Sequence, residues 1–396
     1  MRNLSNFMVI AVMTACGNET RSTQPQEAIN HRPPQYDIVK FSASLGGTNS
    51  RGTAINNRGW VAGFSSLAQN MTRHAVLWRD GSLLDLGTLG GPGTNSSVVW
   101  PGINNRGMVV GITEIADLDP LHEEWSCTAF LPSVTGHVCR GFFWEHGVMK
   151  ALPTLGGFQG FATEVNDRGQ VVGWAETPIH DPTCNDPQVL QFRAVLWEPK
   201  AGMKHELPPL HGDSASAATA INERGQVVGI SGDCDVAVGR FSARHAVIWE
   251  LGKVTELPNL GGTAWHTPMA INENGDVVGF SNPPDNGDGT FLAHAFLWTR
   301  QGGITDLKTL PGDATSQAMG INSRGQVVGV SSGSVNRAFL WQHGVLMNLN
   351  DLKGDFADSL VSAQDINEAG QITGRVFELS SGKTLMFVAT PRPGTQ

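Results

Sequence analysis

Apolar residues along this chain fall in short runs of about five, each bounded by Gly, Asn, Asp or Pro. One segment, Ile55-Asn56-Asn57-Arg58-Gly59-Trp60-Val61-Ala62-Gly63, sets a pattern that returns as IN-x-x-G-x-V-V-G. Its Asn stands at Asn56, Asn104, Asn166, Asn222, Asn272, Asn322 and Asn367. A second run, HAVLW at 74–78, returns at 140–144, 193–197, 245–249, 294–298 and 337–341, with a degenerate copy at 385–389. A third, LLDLGTLGG at 83–91, returns ahead of each later Asn motif and has an early copy at 39–47. Runs this short, punctuated this often, predict strands and not helices. The Asn-x-x-Gly element predicts a tight turn, because Asn bonds its own backbone two residues on and Gly supplies a positive φ.

Each unit thus carries four predicted antiparallel strands, repeated at about 45 to 60 residues, which is the pattern of a propeller blade. The expected fold is all-β, a seven-bladed β-propeller of four-stranded antiparallel blades spanning 35–391, with 392–396 as a tail. The chain starts on the third type of run and stops after the second. The N-terminal segment Tyr36 to Leu45 is therefore expected to complete the last blade and close the ring, removing its edges.

These motifs resemble the extracellular HAF-repeat family, named for the run seen here at His294-Ala295-Phe296. The resemblance covers residues 36 to 390 and implies export and a propeller; it implies no particular reaction.

Composition agrees. Of 396 residues 40% are hydrophobic and only 16% charged, with 48 Gly and 21 Pro, a mixture suited to many strands and tight turns. The net charge of −9 and the lack of any Lys or Arg run exclude the basic footprint of a nucleic-acid binder. The apolar stretch Phe7 to Ala15, behind Arg2, is too short to span a bilayer and fits a signal peptide over 1–15. Met13-Thr14-Ala15-Cys16 resembles a bacterial lipobox, with Met13 where Leu or Val is usual. The resemblance makes Cys16 the lipidated N-terminus, and Gly17 after it favours the outer membrane. An ordinary secretory signal is the alternative. Residues 16–34 read as a flexible tether. The expected location is the bacterial cell envelope, outer membrane or periplasm, with the lipid as sole membrane contact and the protein monomeric. The remaining Cys127, Cys139, Cys184 and Cys234 match no zinc spacing. They suit two disulfides, Cys127–Cys139 and Cys184–Cys234, in an oxidising compartment.

On a repeat scaffold, residues common to all units build the scaffold, and departures from it carry function. The repeat tryptophans (Trp78, Trp144, Trp197, Trp249, Trp298, Trp341) are assigned to inter-blade packing. His74, His245 and His294, with Arg140, Arg193 and Arg337, are assigned to hydrogen bonds with neighbouring loops. The departures lie in inserts at 112–139, 174–192, 231–243 and 281–293, all on one predicted rim. Trp100, Trp125 and Trp265 are candidate ligand platforms near carboxylates, suited to sugars or flat apolar ligands; channel plugging is the competing role. His211 and Asp213 replace the usual Gly-Gly and are further ligand candidates. Glu164 and Asp365 stand where other units have Ala or Gly. With His266 they are the catalytic candidates, against a purely structural reading as acids satisfied by backbone donors. Asp285 and Asp288, in the Asp-Asn-Gly-Asp-Gly-Thr loop, are candidate calcium ligands, with a plain Gly-rich turn as the alternative. No P-loop, HExxH or GxSxG is present. The leading expectation is a binding module for a glycan, small molecule or protein. The alternative is a lyase, hydrolase or isomerase at the channel mouth.

Overall fold

The apolar runs do form strands, twenty-eight of them, in a computed structural model that describes residues 33–394 except 43, 124–126, 128, 237–238 and 285–289. The first strand, β1, is Tyr36–Lys40. Strands β2–β5 are Gly46–Ile55, Val61–Leu67, Arg73–Arg79 and Ser82–Asp85, and β6–β9 are Ser96–Ser97, Val109–Leu118, His137–Glu145 and Val148–Ala151. Strands β10–β13 are Gly160–Val165, Val171–His180, Leu190–Glu198 and Met203–Leu207. Strands β14–β17 are Ala215–Ile221, Val227–Gly232, His245–Glu250 and Lys253–Glu256. Strands β18–β21 are Thr267–Ile271, Val277–Ser281, His294–Thr299 and Gly303–Lys308, and β22–β25 are Thr315–Ile321, Val327–Ser332, Asn336–Gln342 and Val345–Asn348. The chain ends with β26–β28, Ser359–Ile366, Ile372–Phe377 and Thr384–Pro391. Each fourth strand is shorter than the sequence run implied: β5 stops at Asp85, and the LGTLGG that follows runs on as loop apart from a single bridge at Leu89.

Five sheets of four strands, from β6–β9 to β22–β25, follow sequence order, with antiparallel neighbours. A sixth sheet has eight strands, ordered β26-β27-β28-β2-β3-β4-β5 with β1 also paired to β28. It consists of two four-stranded groups joined by one parallel residue pair, Asn49↔Thr384. The N-terminal strand lies antiparallel on the C-terminal one, Tyr36 opposite Pro391 and Lys40 opposite Phe387. No sheet closes on itself.

Burial follows position in the sheet. The second and third strands are covered on both faces, so β15 is buried throughout and β16 nearly so. That coverage is why VVG and HAVIW read as continuous apolar runs with no alternation. The fourth strands, such as β17, are half exposed. The repeat tryptophans bridge adjacent sheets: Trp197 Nε1 donates to the Pro153 carbonyl at 2.9 Å and Trp249 Nε1 to the Pro208 carbonyl at 2.7 Å. The repeat His residues hydrogen-bond to the fourth strand of their own sheet, whereas Arg337 at the same slot bonds the neighbouring loop at Pro311 and Asp313. His74 meets Asp85, His245 meets Glu256 and His294 meets Asp306, at 2.9, 2.9 and 3.0 Å.

The Asn motif does more than turn the chain. Asn56 Oδ1 accepts the backbone N–H of Arg58 and of Trp60, both at 3.0 Å, and Gly59 closes the turn at φ 76°. The same side chain's Nδ2 donates to the Asn104 carbonyl in the next sheet, at 3.0 Å. Asn104 donates to Asn166, Asn166 to Asn222, Asn222 to Asn272, Asn272 to Asn322 and Asn322 to Asn367, at 2.9 to 3.2 Å. Asn367 donates back to the Asn56 carbonyl at 3.0 Å. A second series runs through the following residue, from Asn57 N–H to Asn105 Oδ1, on to Asp167, Glu223 and Glu273, and from Ser323 through Glu368 back to Asn57. At the one step where the neighbour is the short Ser323, Asn274 Nδ2 bridges to the Ser323 carbonyl instead.

The Gly ending each VVG motif has a steric cause. A bulge in the first strand, between Gly52 and Ala54 for example, brings that strand's backbone over the second strand. A Cβ on Gly63 would lie 1.9 Å from the Arg51 carbonyl oxygen, so no other residue fits.

Both expected disulfides are present, Cys127–Cys139 within one insert and Cys184–Cys234 between loops of adjacent sheets. Thiol titration of the unreduced, denatured protein is expected to find none of these four cysteines free; four free thiols would refute the pairing. Asn222→Ala removes bonds to Arg224, Gln226 and Asn272 and orphans buried backbone groups. Urea unfolding should register a loss of about 2–4 kcal/mol, whereas a loss below about 1 kcal/mol would show that the series is dispensable.

Candidate functional site

The strands' opposite ends, away from the Asn turns, carry every insert. Two acids project from the first strands directly after the bulge. Glu164 Oε2 accepts the Ile221 N–H of the next sheet at 2.7 Å, and Asp365 Oδ2 accepts the Ile55 N–H at 2.8 Å while its Oδ1 takes the Ile366 N–H at 2.8 Å. Glu164 therefore ties its sheet to the next, and Asp365 ties together the two four-stranded groups of the eight-stranded sheet. Burial lifts the Asp365 carboxyl to about 7, against the pull of the two N–H donors. Burial also pushes Glu164 well above the usual carboxylate range; the Ile221 N–H opposes this, and the charges of Asp365, Glu273 and Glu223 add to it.

His266 does not join them. It is 1% exposed, with Nδ1 on Ser281 Oγ at 2.7 Å and Nε2 on the Gly262 carbonyl at 3.1 Å. Burial brings its pKa down to about 4, so the ring is neutral at physiological pH with both nitrogens engaged. The structure thus brings Glu164 and Asp365 within electrostatic reach of each other and leaves His266 among the groups of another loop.

Trp100 is 5% exposed and packs edge-on against Phe130, Phe161 and Trp174 at 5.2, 5.4 and 5.8 Å. It fills the space between two sheets and presents no face to solvent. Trp265 is half-buried, at φ 58°, edge-on to Phe291 at 5.4 Å and with the Arg240 guanidinium over its ring at 5.8 Å. His211 is exposed. Asp213 accepts from Ser231 Oγ at 2.6 Å and lies 3.9 Å from His245, as Asp313 pairs with Arg337 two sheets on. Trp125, the calcium candidates Asp285 and Asp288, and Cys16 lie outside the described residues. Among the described residues no group of three or more His, Cys, Asp or Glu is placed to hold a metal, and no helix is long and apolar enough to cross a membrane.

In the acid-rich insert that begins within β7, Glu114, Asp119 and Glu123 turn inward while Asp117 is exposed. Glu114 accepts from Asn95 N–H and Thr135 Oγ1, both at 2.6 Å; Asp119 accepts from Glu123 N–H and Gln159 Nε2; Glu123 Oε1 accepts the Val189 and Leu190 N–H groups. Glu176, from the next sheet, caps Phe158 and Gln159. Burial, seconded by the Glu123 charge, raises it to about 8. These acids satisfy loop backbone and offer solvent little charge.

Three arginines behave differently. Arg51 on β2 and Arg73 on β4 lie over the same Phe64 ring, their Cζ atoms 5.2 and 4.2 Å from its centroid, and Arg375 on β27 completes the group. Burial depresses all three, Arg51 well below its ordinary value and Arg73 to about 10. The charges of Arg375 and Arg73 press on Arg51, and that of Arg375 on Arg73. No carboxylate offsets them among the described residues, and all three Nε atoms are buried without an acceptor. Sequence reasoning missed this group. The available signal was Arg375 in the slot after the VVG-type Gly, where the other units have Phe64, Ile112, Trp174, Ile230, Phe280 and Val330.

No family model matches the chain, and no curated protein matches it. Among solved structures, it is similar to the Trypanosoma rangeli sialidase in complex with sialic acid (10% identity, TM-score 0.40, 92% of this chain and 58% of that one). It is also similar to an oligogalacturonate lyase in complex with manganese (13%, 0.35, 92% and 98%) and to a protein assigned as a gluconolactonase (10%, 0.39, 91% and 94%). Likeness at this level leaves the fold resting on the chain's own hydrogen bonds.

Asp365 sets a pH dependence with a definite sign. Its native pKa of about 7 exceeds the ordinary aspartate value of 3.8, so the folded state holds the extra proton in between. The stability this confers is complete below 3.8 and is lost as pH rises through 7, with Glu164 acting in the same direction. Relative to wild type, Asp365→Asn should therefore gain roughly 1–3 kcal/mol in urea unfolding between pH 5 and pH 8. No gain over that range would show that the carboxylate is ionised in the fold.

Proposed function

We propose that residues 35–391 form a seven-bladed β-propeller of the HAF-repeat type, its ring completed by β1 in the last blade. In this reading the protein is exported, held at a bacterial cell envelope through Cys16, and serves as a binding module. The return of the Asn series from Asn367 to Asn56 supports the ring, since a linear stack of sheets would leave its first and last turns unmatched. The two disulfides accord with an oxidising compartment.

One observation carries the binding reading. The long inserts gather at the ends away from the Asn turns, and the departures from the repeat include three half-buried cations, Arg51, Arg73 and Arg375. A rigid scaffold with diverse loops at one end is suited to holding a glycan, a small molecule or a protein segment. Trp265, half-buried beside Phe291, is the aromatic side chain best placed to meet one. The enzyme reading draws on Asp365, whose pKa near 7 suits proton transfer. Against it, the oxygens of Asp365 and one oxygen of Glu164 already accept backbone N–H groups.

A thermal-shift screen of the purified protein against glycans and small metabolites separates the two. For the module, a hit raises the melting temperature, Trp265→Ala weakens it about tenfold, Glu164→Gln leaves it unchanged, and no product forms. Turnover of the hit, abolished by Glu164→Gln with affinity intact, would establish the enzyme instead.

A further inference from the structure

We propose that Arg51, Arg73 and Arg375 form a receptor for an oxyanion, a carboxylate or sulfate group, at the rim of the protein; this rests on reading the rim as the binding face. The scaffold does not account for the three. At the Arg375 slot every other unit has an apolar residue. At the Arg51 slot, five residues before the turn Asn, the others have Val99, Phe161, Ala217, Thr267, Gln317 and Ser362. Burying one guanidinium is costly, and burying three together adds their mutual repulsion.

Elsewhere on the same side of the sheets the fold provides partners. Arg337 pairs with Asp313 at 2.8 Å, Arg193 with Glu206 at 3.5 Å and Arg244 with Asp233 at 2.5 Å. Among the described residues the trio has no such carboxylate, and only two of its N–H groups meet an acceptor. Arg51 spends one N–H on the Val99 carbonyl at 3.5 Å, Arg73 spends one on the Phe130 carbonyl, and Arg375 spends none within the described residues. The face of Phe64 orients the first two without neutralising them. Planar N–H forks held in this way match the paired oxygens of a carboxylate or sulfate. A bound anion would supply the missing counter-charge for all three at once.

The repeat itself supplies clean variants. Arg375→Ile places at 375 the residue found at Ile112 and Ile230, and Arg51→Gln the residue found at Gln317. The full-length protein is titrated with sodium sulfate, sodium glucuronate and neutral glucose at constant ionic strength, with melting temperature as readout. A saturable rise with sulfate and glucuronate but not glucose is expected. Each variant should weaken it at least about tenfold while its unliganded melting temperature holds or rises, since repulsion is relieved. A response to glucuronate alone would support the receptor in a narrower form, for a sugar-borne carboxylate. The proposal is overturned by no response to either anion in wild type, or by variants that melt several degrees lower, which would mark the arginines as structural. It is also overturned if both variants respond like wild type. In that last case loss of the response in Trp265→Ala would leave the binding face standing without the trio, and its persistence there would remove both.

Discussion

An asparagine amide offers two donors and an acceptor with two lone pairs, and this chain consumes them where each sheet begins. Oδ1 takes two N–H groups of its own turn, and Nδ2 reaches the carbonyl of the neighbouring turn. One side chain thus fixes a local geometry and a contact between sheets. Because the same residue recurs seven times, the series passes from each turn to the next and returns to its origin. No apolar residue could do this, since the turn's N–H groups are buried and would be left without acceptors. The rest of the fold follows from keeping these turns in register. The first strands lie close, the bulge crowds the second strand so that only Gly fits at Gly63, and the tryptophans span the gaps farther out.

With one end of every sheet held in this way, the other end is free to vary, and it does so in two contrasting manners. The acidic insert folds back and uses Glu114, Asp119, Glu123 and Glu176 as caps for loop backbone, so its charge serves structure. Asp365 and Glu164 are structural in the same sense, each accepting an N–H from the next group of four strands. The arginines near Phe64 meet two backbone carbonyls, Val99 and Phe130, and no carboxylate among the described residues. A half-buried cation without a counter-charge is costly to a fold, which is the ground for the receptor proposed at this group.

The repeat was open to reading in the sequence because its causes are local. The spacing of Asn56, Gly59 and Gly63 reports a turn and a close strand contact within one unit, and seven copies reinforce the signal. The short runs of buried strands, the pairing of β1 with β28 and both disulfides were legible for the same reason: each follows from the order of units along the chain. The His and Arg residues at the head of the third strand were read as loop contacts; Arg337 makes them, at Pro311 and Asp313, while His74 bonds Asp85 one strand over.

The non-repeated residues were legible only as departures, and tertiary structure decided what each departure does. Trp100 and His266 carry ligand-like side chains, yet their neighbours bury them, because an insert that covers a sheet end packs whatever lies beneath it. Arg51 and Arg73 stand near the start of the described chain and Arg375 near its end, and they come together only because β26–β28 and β2–β5 join in one eight-stranded sheet. By itself, then, the sequence determined the repeated unit and its turns, both set by contacts a few residues apart. Which charges are neutralised and which are left to attract a partner was decided by the meeting of units that no local pattern encodes.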